Sequence, residues 1–270
     1  EQSELVFVSK RGRKHGREEG WDGDSAGGGL VIALALWIRD NGPARGWKMP
    51  AGIVALAPWL DLTHSQLSFH LNTLNYLPPI VSDPSYITKG HRSHYYTPHD
   101  SLNSHQYVSP LFASNSATDK STHLPPTLIQ LGSLERLRDK GLMFAADSFK
   151  HSPVRVELYE DMGAHLSNVC NKGVINCAKD AFERIGEFVK RVGAAGVSAS
   201  RAKESADGFL FVGEDSLEDI GRVGALDIVR EARRELDAVN KLERQASAPS
   251  SQSQWIQNDT RLSSKLSVSL

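Results

Sequence analysis

Short apolar segments alternate with helical segments along the first two thirds of this 270-residue chain. Four stretches are short, apolar and rich in β-branched residues, as buried strands are: residues 4–9, 51–57, 127–131 and 154–159. Between and after them, apolar or amphipathic stretches predict helices at residues 30–39, 139–150 and 178–192. Because alternating strands and helices form a parallel sheet with helices on its faces, the sequence predicts an α/β fold.

The pattern changes near residue 193, so we assign residues 1–193 to the α/β part and residues 194–270 to a tail. Residues 216–244 repeat apolar residues every three or four positions, which predicts an amphipathic helix with a charged face. Residues 245–270 are rich in Ser and Gln, and we expect them to be disordered. The tail helix is interpreted either as a solvated surface helix or as a binding site for a partner.

Composition excludes several classes of protein. With 31 Lys and Arg against 32 Asp and Glu, the formal net charge is −1, which argues against a nucleic-acid-binding protein. No apolar run approaches the ~20 residues that a membrane-spanning helix needs. The first residues lack the basic-then-apolar order of a signal peptide, so a cytoplasmic location is the default expectation.

Metal binding is not expected from this sequence. The two cysteines, Cys170 and Cys177, match no spacing of a zinc site. Four histidines lie close together in the irregular stretch between the second and third predicted strands, but no helix or hairpin frames them. We interpret them as part of a solvated loop rather than as metal ligands: His91, His94, His99 and His105.

The segment Gly23-Asp24-Ser25-Ala26-Gly27 fits the pattern Gly-x-Ser-x-Gly. Glycines two residues before and after a serine are needed where a strand turns sharply into a helix, because the neighbouring backbones pass too close for side chains. The segment opens the apolar stretch that is predicted to be a helix, as such a turn requires. A glycine-rich turn that takes no part in catalysis has the same sequence pattern, so the pattern alone does not establish a nucleophile.

Two further side chains follow predicted strands in an order that suits a serine nucleophile. Where this motif is catalytic, the serine is followed along the chain by an acid and then by a histidine. Glu135 follows the third predicted strand and His165 follows the fourth, at the strand ends where parallel sheets place their active sites. Asp139 is an alternative acid. A surface carboxylate and a loop histidine are the ordinary interpretations of the same residues.

These motifs resemble the hormone-sensitive-lipase-like family of α/β-hydrolases (fold-3), especially its fungal members. The resemblance covers residues 4–193 and rests on segments that occur in the family's order. They are the serine turn, the end of the next strand, the two lead-ins to the acid strand, the acid loop and the histidine loop: residues 23–30, 57–63, 109–111, 124–127, 132–139 and 159–165.

The resemblance implies a serine carboxylic-ester hydrolase that acts by acyl transfer on small or lipid-like esters. In that family pattern Ser25 is the nucleophile, His165 the base and Glu135 the acid that orients the imidazole. The backbone N–H of Ala26 is implied to form part of the oxyanion hole. The other residues of the turn are assigned to its geometry: Gly23, Asp24 and Gly27. This chemistry needs no cofactor, and the implied partner is a small-molecule ester substrate, with the oligomeric state left open.

Two features depart from the family pattern. The family's His-Gly-Gly-Gly oxyanion loop has no counterpart in the 24 residues before Ser25, so we expect an α/β-hydrolase domain that is truncated at its N-terminus and lacks its first strands. Residues 10–22 separate the predicted strand 4–9 from the serine turn, and we predict that they are an insertion. The alternative function is therefore a catalytically inactive remnant that acts at most as an interaction module, and a peptidase-type acyl transfer is a third hypothesis.

Overall fold

The computed structural model of the protein describes residues 20–72, 97–162, 176–194, 208–213 and 216–247. They contain one six-stranded sheet whose strands lie side by side in the order of the sequence. The first five strands are parallel, and the sixth is antiparallel to the fifth. The strands are β1 (Gly20–Asp24), β2 (Gly52–Leu56), β3 (Thr127–Gly132), β4 (Val154–Tyr159), β5 (Gly208–Val212) and β6 (Leu217–Asp219).

Helices connect and follow these strands, so the α/β prediction is confirmed. The α-helices are α1 (Ala26–Asn41), α2 (Ser68–Leu71), α3 (Arg138–Met143), α4 (Asn176–Ala194) and α5 (Gly221–Ser247). Helix α3 continues into a π-helical turn, Phe144–Ser148. Short 3₁₀ turns lie at Pro43–Arg45, Asp100–Leu102, Pro110–Phe112 and Lys120–Thr122. In the part of the chain that the structure describes, no helix has both the length and the apolar character to cross a membrane.

The core lies on both faces of the central strands. Every residue of β3 is buried, as are the first four of β2, which explains why β2 is a continuous apolar run rather than an alternating one. One face of α1 packs into the same core through Val31, Ile32, Ala35 and Leu36. Burial of this kind stabilises the fold by about 25 cal/mol for each Å² of apolar surface removed from water, and it fixes the strand ends where the site lies.

The strand that enters the serine turn differs from the expected one. It is Gly20–Asp24, whereas residues 4–9 lie outside the described residues. Each residue of β1 pairs with one of β2, from Gly20 opposite Gly52 to Asp24 opposite Leu56. Residues 20–22, the end of the segment predicted to be an insertion, therefore belong to the sheet, because pairing with β2 satisfies their backbone groups whatever their side chains are.

The sheet also continues beyond residue 193, where the sequence predicts no strand. Strand β5 pairs in parallel with β4, and its Phe209 and Val212 are buried. Strand β6 takes up residues 217–219, the beginning of the predicted helix 216–244, so helix α5 begins only at Gly221. The chain divides into two compact units, Glu1–Arg230, which holds the sheet, and Glu231–Leu270.

Candidate active site

Ser25 lies between β1 and α1 in a backbone conformation that residues other than glycine rarely adopt. Its φ is 53° and its ψ is −117°, and its side chain is 5% exposed. Its N–H donates to the carbonyl of Leu56 (2.9 Å), and its carbonyl accepts from the N–H groups of Gly29 (3.1 Å) and Trp59 (2.9 Å). Such strain costs about 1–3 kcal/mol and persists only where the surroundings enforce it, so it marks a candidate functional position.

Close backbone contacts explain the glycines around Ser25. A Cβ on Gly23 would collide with the carbonyl of Gly27, and a Cβ on Gly29 would collide with the carbonyl of Trp59. The strand, the turn and the helix therefore fit together only when these positions carry no side chain. This is the steric requirement that the Gly-x-Ser-x-Gly pattern predicts.

The first turn of α1 presents backbone N–H groups beside Ser25. The first hydrogen bond of the helix joins the N–H of Gly29 to the carbonyl of Ser25. The N–H groups of residues 26–28 precede that bond and have no acceptor within the helix. Together with the positive end of the helix dipole, they can stabilise an oxyanion that forms at Ser25. The role of the Ala26 N–H in this group stays a prediction.

Asp24, the last residue of β1, carries a buried polar atom next to the nucleophile position. Its Oδ1 has no hydrogen-bond partner among the described residues. Sequence reasoning assigned Asp24 to the geometry of the turn only.

Glu135 lies in a tight loop that follows β3, and its side chain is 2% exposed. Its Oε2 accepts the N–H of Gly132 (3.0 Å), and its own N–H donates to the carbonyl of Gly132 (3.2 Å). The same loop contacts the end of β4, because the N–H of Ser133 donates to the carbonyl of Tyr159 (2.8 Å). The N–H of Leu134 donates to the carbonyl of Met162, three residues after that strand (2.9 Å). Glu135 is thus held at the edge of the sheet from which the chain leads on to His165.

The alternative acid, Asp139, uses both carboxylate oxygens for other contacts. Its Oδ1 accepts Nε of Arg138 (2.8 Å) and its Oδ2 accepts the backbone N–H of Ser68 (2.9 Å). The N–H of Asp139 donates in return to the hydroxyl of Ser68 (3.1 Å). These contacts join α3 to α2, and the choice of Glu135 rather than Asp139 as the acid stays a prediction.

His165 lies outside the described residues, so its assigned role stays a prediction. Ser25 follows β1 and Glu135 follows β3, with β2 between those strands. Because these strands are parallel, both residues lie at the same edge of the sheet, and β4 also ends at that edge. In the described part of the chain, no group of three or more His, Cys, Asp or Glu side chains could hold a metal ion.

Sequence reasoning missed Lys140, whose side chain is completely buried. Its Nζ donates to the carbonyl of Asp61 (2.8 Å) and lies within hydrogen-bonding distance of Nδ1 of His64 (3.2 Å). Burial lowers the pKa of Lys140 to about 7, although the nearby Asp61 carboxylate opposes this shift. No sequence signal marks this residue, since it follows Arg138 and Asp139 in a charged stretch that is typical of a solvated helix face.

Asp61 and His64 lie in the loop after β2. Although burial opposes it, the positive charge of Lys140 and the hydrogen bonds from Thr63 and Ser65 lower the pKa of Asp61. Burial, followed by the charge of Lys140, lowers the pKa of His64 to about 3. His64 is therefore neutral in the folded protein over the whole physiological pH range.

We expect His64 to make the protein less stable as the pH falls from about 6.5 to about 3. In this window the unfolded chain protonates His64 near its usual pKa of about 6.5 while the folded chain does not, so stability rises with pH. One proton adds a slope of up to about 1.4 kcal/mol per pH unit. Urea unfolding between pH 4 and pH 7 measures the slope, which His64→Gln should reduce. The exposed His99, changed to Gln, is the control, and equal slopes in the two variants would contradict the assignment.

A family model described as the alpha/beta hydrolase fold matches residues 21–166, more than half of the chain. Among curated proteins, an esterase of Acinetobacter venetianus is 34% identical over 122 residues, which are 45% of this chain and 35% of that protein. An acetyl-hydrolase of Streptomyces hygroscopicus is 32% identical over 141 residues, which are 52% of this chain and 42% of that protein.

Two solved structures are similar to the chain. A crystal structure of EstE5 soaked with p-nitrophenyl butyrate has 31% identity and a TM-score of 0.51, covering 65% of this chain and 53% of that one. EstE7, a homologue of hormone-sensitive lipase from a metagenome library, has 26% identity and a TM-score of 0.50, covering 64% and 54%. The chain thus spans less than half of these two curated relatives and just over half of these solved chains.

Proposed function

This chain belongs to the alpha/beta hydrolase fold family, and from that premise we propose that it is a serine esterase for small or lipid-like carboxylic esters. The observation that carries the proposal is the conformation of Ser25, a strained residue held by three backbone hydrogen bonds between a parallel strand and a helix. This geometry suits a nucleophile, because it presents a side chain beside the N–H groups of a helix start. The names of the two curated relatives, an esterase and an acetyl-hydrolase, support the ester class.

In the proposed mechanism, Oγ of Ser25 attacks the carbonyl carbon of the ester while His165 accepts the hydroxyl proton. The N–H groups at the start of α1, that of Ala26 first, stabilise the negative oxygen of the tetrahedral intermediate. His165 then donates the proton to the leaving alcohol, and an acyl-enzyme remains. Water, deprotonated by the same histidine, cleaves the acyl-enzyme bond and restores Ser25. Throughout, Glu135 accepts the N–H of the other imidazole nitrogen and fixes its tautomer.

We expect the protein to hydrolyse p-nitrophenyl esters, with the highest rates for acetate and butyrate and lower rates towards octanoate. Short acyl groups are proposed because EstE5 was soaked with the butyrate ester and the Streptomyces relative is named for an acetyl group. Initial rates across the acyl series measure this preference. A fluorophosphonate should add one phosphonyl group to the chain, which intact-mass spectrometry detects.

The control for this assay is proof that the chain is folded, by circular dichroism and a single unfolding transition. A folded chain that shows only the buffer rate and takes up no phosphonyl group would contradict the proposal. That result would favour the alternative, a hydrolase remnant without activity.

A further inference from the structure

The segment 58–72 contacts both the serine turn and the acid loop, and we call it the bridging segment. At its beginning, the N–H of Trp59 donates to the carbonyl of Ser25 (2.9 Å). At its end, Nδ2 of Asn72 donates to the carbonyl of Glu135 (3.0 Å). The position of the nucleophile relative to the acid therefore depends in part on the shape of this segment.

Lys140 fastens the middle of the bridging segment. Its Nζ donates to the carbonyl of Asp61 (2.8 Å), and the indole Nε1 of Trp59 donates to that same oxygen (3.0 Å). Lys140 lies in α3, five residues after Glu135. The carbonyl oxygen of Asp61 thus connects Lys140, in the helix after the acid loop, to Trp59. The backbone N–H of Trp59 in turn holds the carbonyl of Ser25.

Aromatic rings enclose the amine of Lys140. The ring of His64 stacks on that of Phe69, with 3.7 Å between the centroids, and on that of Trp59, with 5.6 Å. Nζ of Lys140 lies 4.4 Å from the centroid of Phe69, where the face of the ring attracts a positive charge. The stack restricts the positions that the amine can take and therefore the directions in which it can donate hydrogen bonds.

Asp61 has hydrogen-bond partners of its own in addition to the positive charge of Lys140. The carboxylate of Asp61 already accepts four hydrogen bonds, from the N–H and hydroxyl groups of Thr63 and Ser65. A buried lysine costs stability, because burial disfavours its charged form. Since burial lowers the pKa of Lys140 to about 7, the amine is partly neutral near neutral pH, and a neutral amine still has two N–H donors. Lys140 therefore contributes hydrogen bonds of defined geometry in addition to its charge.

We propose that Lys140 is a positioning residue that fixes the bridging segment through the Asp61 carbonyl and thereby holds Ser25 and Glu135 at their working separation. The proposal rests on the proposed esterase function, in which these two residues must act together. Lys140 itself does not touch the substrate in this scheme and acts only through the segment that it holds.

The matched variants are Lys140→Met and Lys150→Met, of which the second changes an exposed lysine that follows the π-helical turn. We expect Lys140→Met to lower kcat by about 10- to 100-fold, because displacements of about 1 Å in an active site have effects of this size, and to leave KM within about twofold. The melting temperature at pH 6 should fall, since the buried Asp61 carboxylate loses the nearby positive charge of Lys140. Lys150→Met should change none of these values.

Lys140→Gln keeps N–H donors on a slightly shorter side chain and should recover part of the lost kcat. A residue that only supports folding leaves kcat unchanged at temperatures where the variant stays folded. A fall in kcat measured well below the melting temperature, with partial recovery in Lys140→Gln, therefore distinguishes positioning from support. Wild-type kcat in Lys140→Met would overturn the proposal. If Lys140→Met does not fold, Lys140→Gln takes its place in every comparison, with a smaller fall in kcat expected.

Hydrogen exchange tests the role of Lys140 independently of esterase activity. The N–H groups of Trp59, bonded to Ser25, and of Gly132, bonded to Glu135, report on the two ends of the coupling. Both should exchange faster in Lys140→Met than in Lys150→Met. If the wild type hydrolyses no ester, the proposed function fails while exchange still tests the coupling, and unchanged exchange in Lys140→Met would overturn it.

Discussion

Ser25→Ala is expected to lower kcat for p-nitrophenyl butyrate by about 10⁴-fold or more and to abolish phosphonyl labelling, with the fold intact. The loss follows from removal of the nucleophile, since the remaining groups cannot form an acyl-enzyme. The fold should survive, because the Ser25 hydroxyl forms no hydrogen bond that caps α1 and alanine meets the same strain at φ 53°. Steady-state rates and intact mass of the purified variant measure both effects.

Two matched variants control this prediction. Ser114→Ala changes an exposed serine and should keep the wild-type rate. Ser25→Gly should lose activity like Ser25→Ala but gain about 1 kcal/mol in the free energy of unfolding, because glycine adopts positive φ without strain. If Ser25→Ala retains wild-type turnover, the nucleophile is another residue.

Glu135→Gln should lower kcat by about 10³- to 10⁴-fold, the second large effect. Glutamine has no negative charge to stabilise the imidazolium, and its amide N–H group favours the wrong tautomer of His165. The amide oxygen can still accept the N–H of Gly132, so the acid loop should keep its conformation. Measuring kcat together with the circular dichroism spectrum shows whether the loss is chemical.

Asp139→Asn is the control for the acid, and it should lose stability rather than activity. It should unfold at a lower urea concentration, because the buried contact with Arg138 loses its charge, while the folded protein keeps most of its kcat. Loss of turnover in Asp139→Asn together with full turnover in Glu135→Gln would assign the acid to Asp139.

The central strands were predictable because they are buried on both faces. A continuous apolar run is sufficient to place β2, whereas Val154, Val156 and Leu158 alternate with polar residues in β4. Strands β2, β3 and β4 lie within one residue of the predicted bounds. Strand β1 reads Gly-Trp-Asp-Gly-Asp and has no such run, because its place in the sheet depends on backbone pairing with β2. Periodicity of side chains carries no information about a strand of this kind.

Helix α4 shows the limit of an amphipathic pattern. The pattern predicts one apolar face that consists of Ala181, Phe182, Ile185, Phe188, Val189 and Val192. In the structure, Phe182 and Val189 are 53% and 56% exposed, while Ala181 and Phe188 are buried. The apolar stripe is wider than the strip of helix that meets the sheet, so the sequence locates the face but not its edges.

Within the candidate site, local requirements were predictable and tertiary ones were not. The turn at Ser25 is predictable from the sequence because the neighbouring backbone lies too close to its glycines for a side chain to fit. Lys140 is not, because its burial depends on a loop some 70 to 80 positions earlier in the chain. When a charged residue lies in a charged stretch, the neighbouring sequence gives no indication that its side chain is buried.

The sequential order of the strands has a consequence for synthesis on the ribosome. Each strand from β2 to β6 pairs with the strand made just before it, so this part of the sheet can grow strand by strand as the chain emerges. At about 5–20 residues per second, the acid loop leaves the ribosome on the order of ten seconds after the serine turn. A nascent chain therefore carries the serine turn outside the ribosome well before the acid loop emerges, so the triad that we propose forms only late in synthesis.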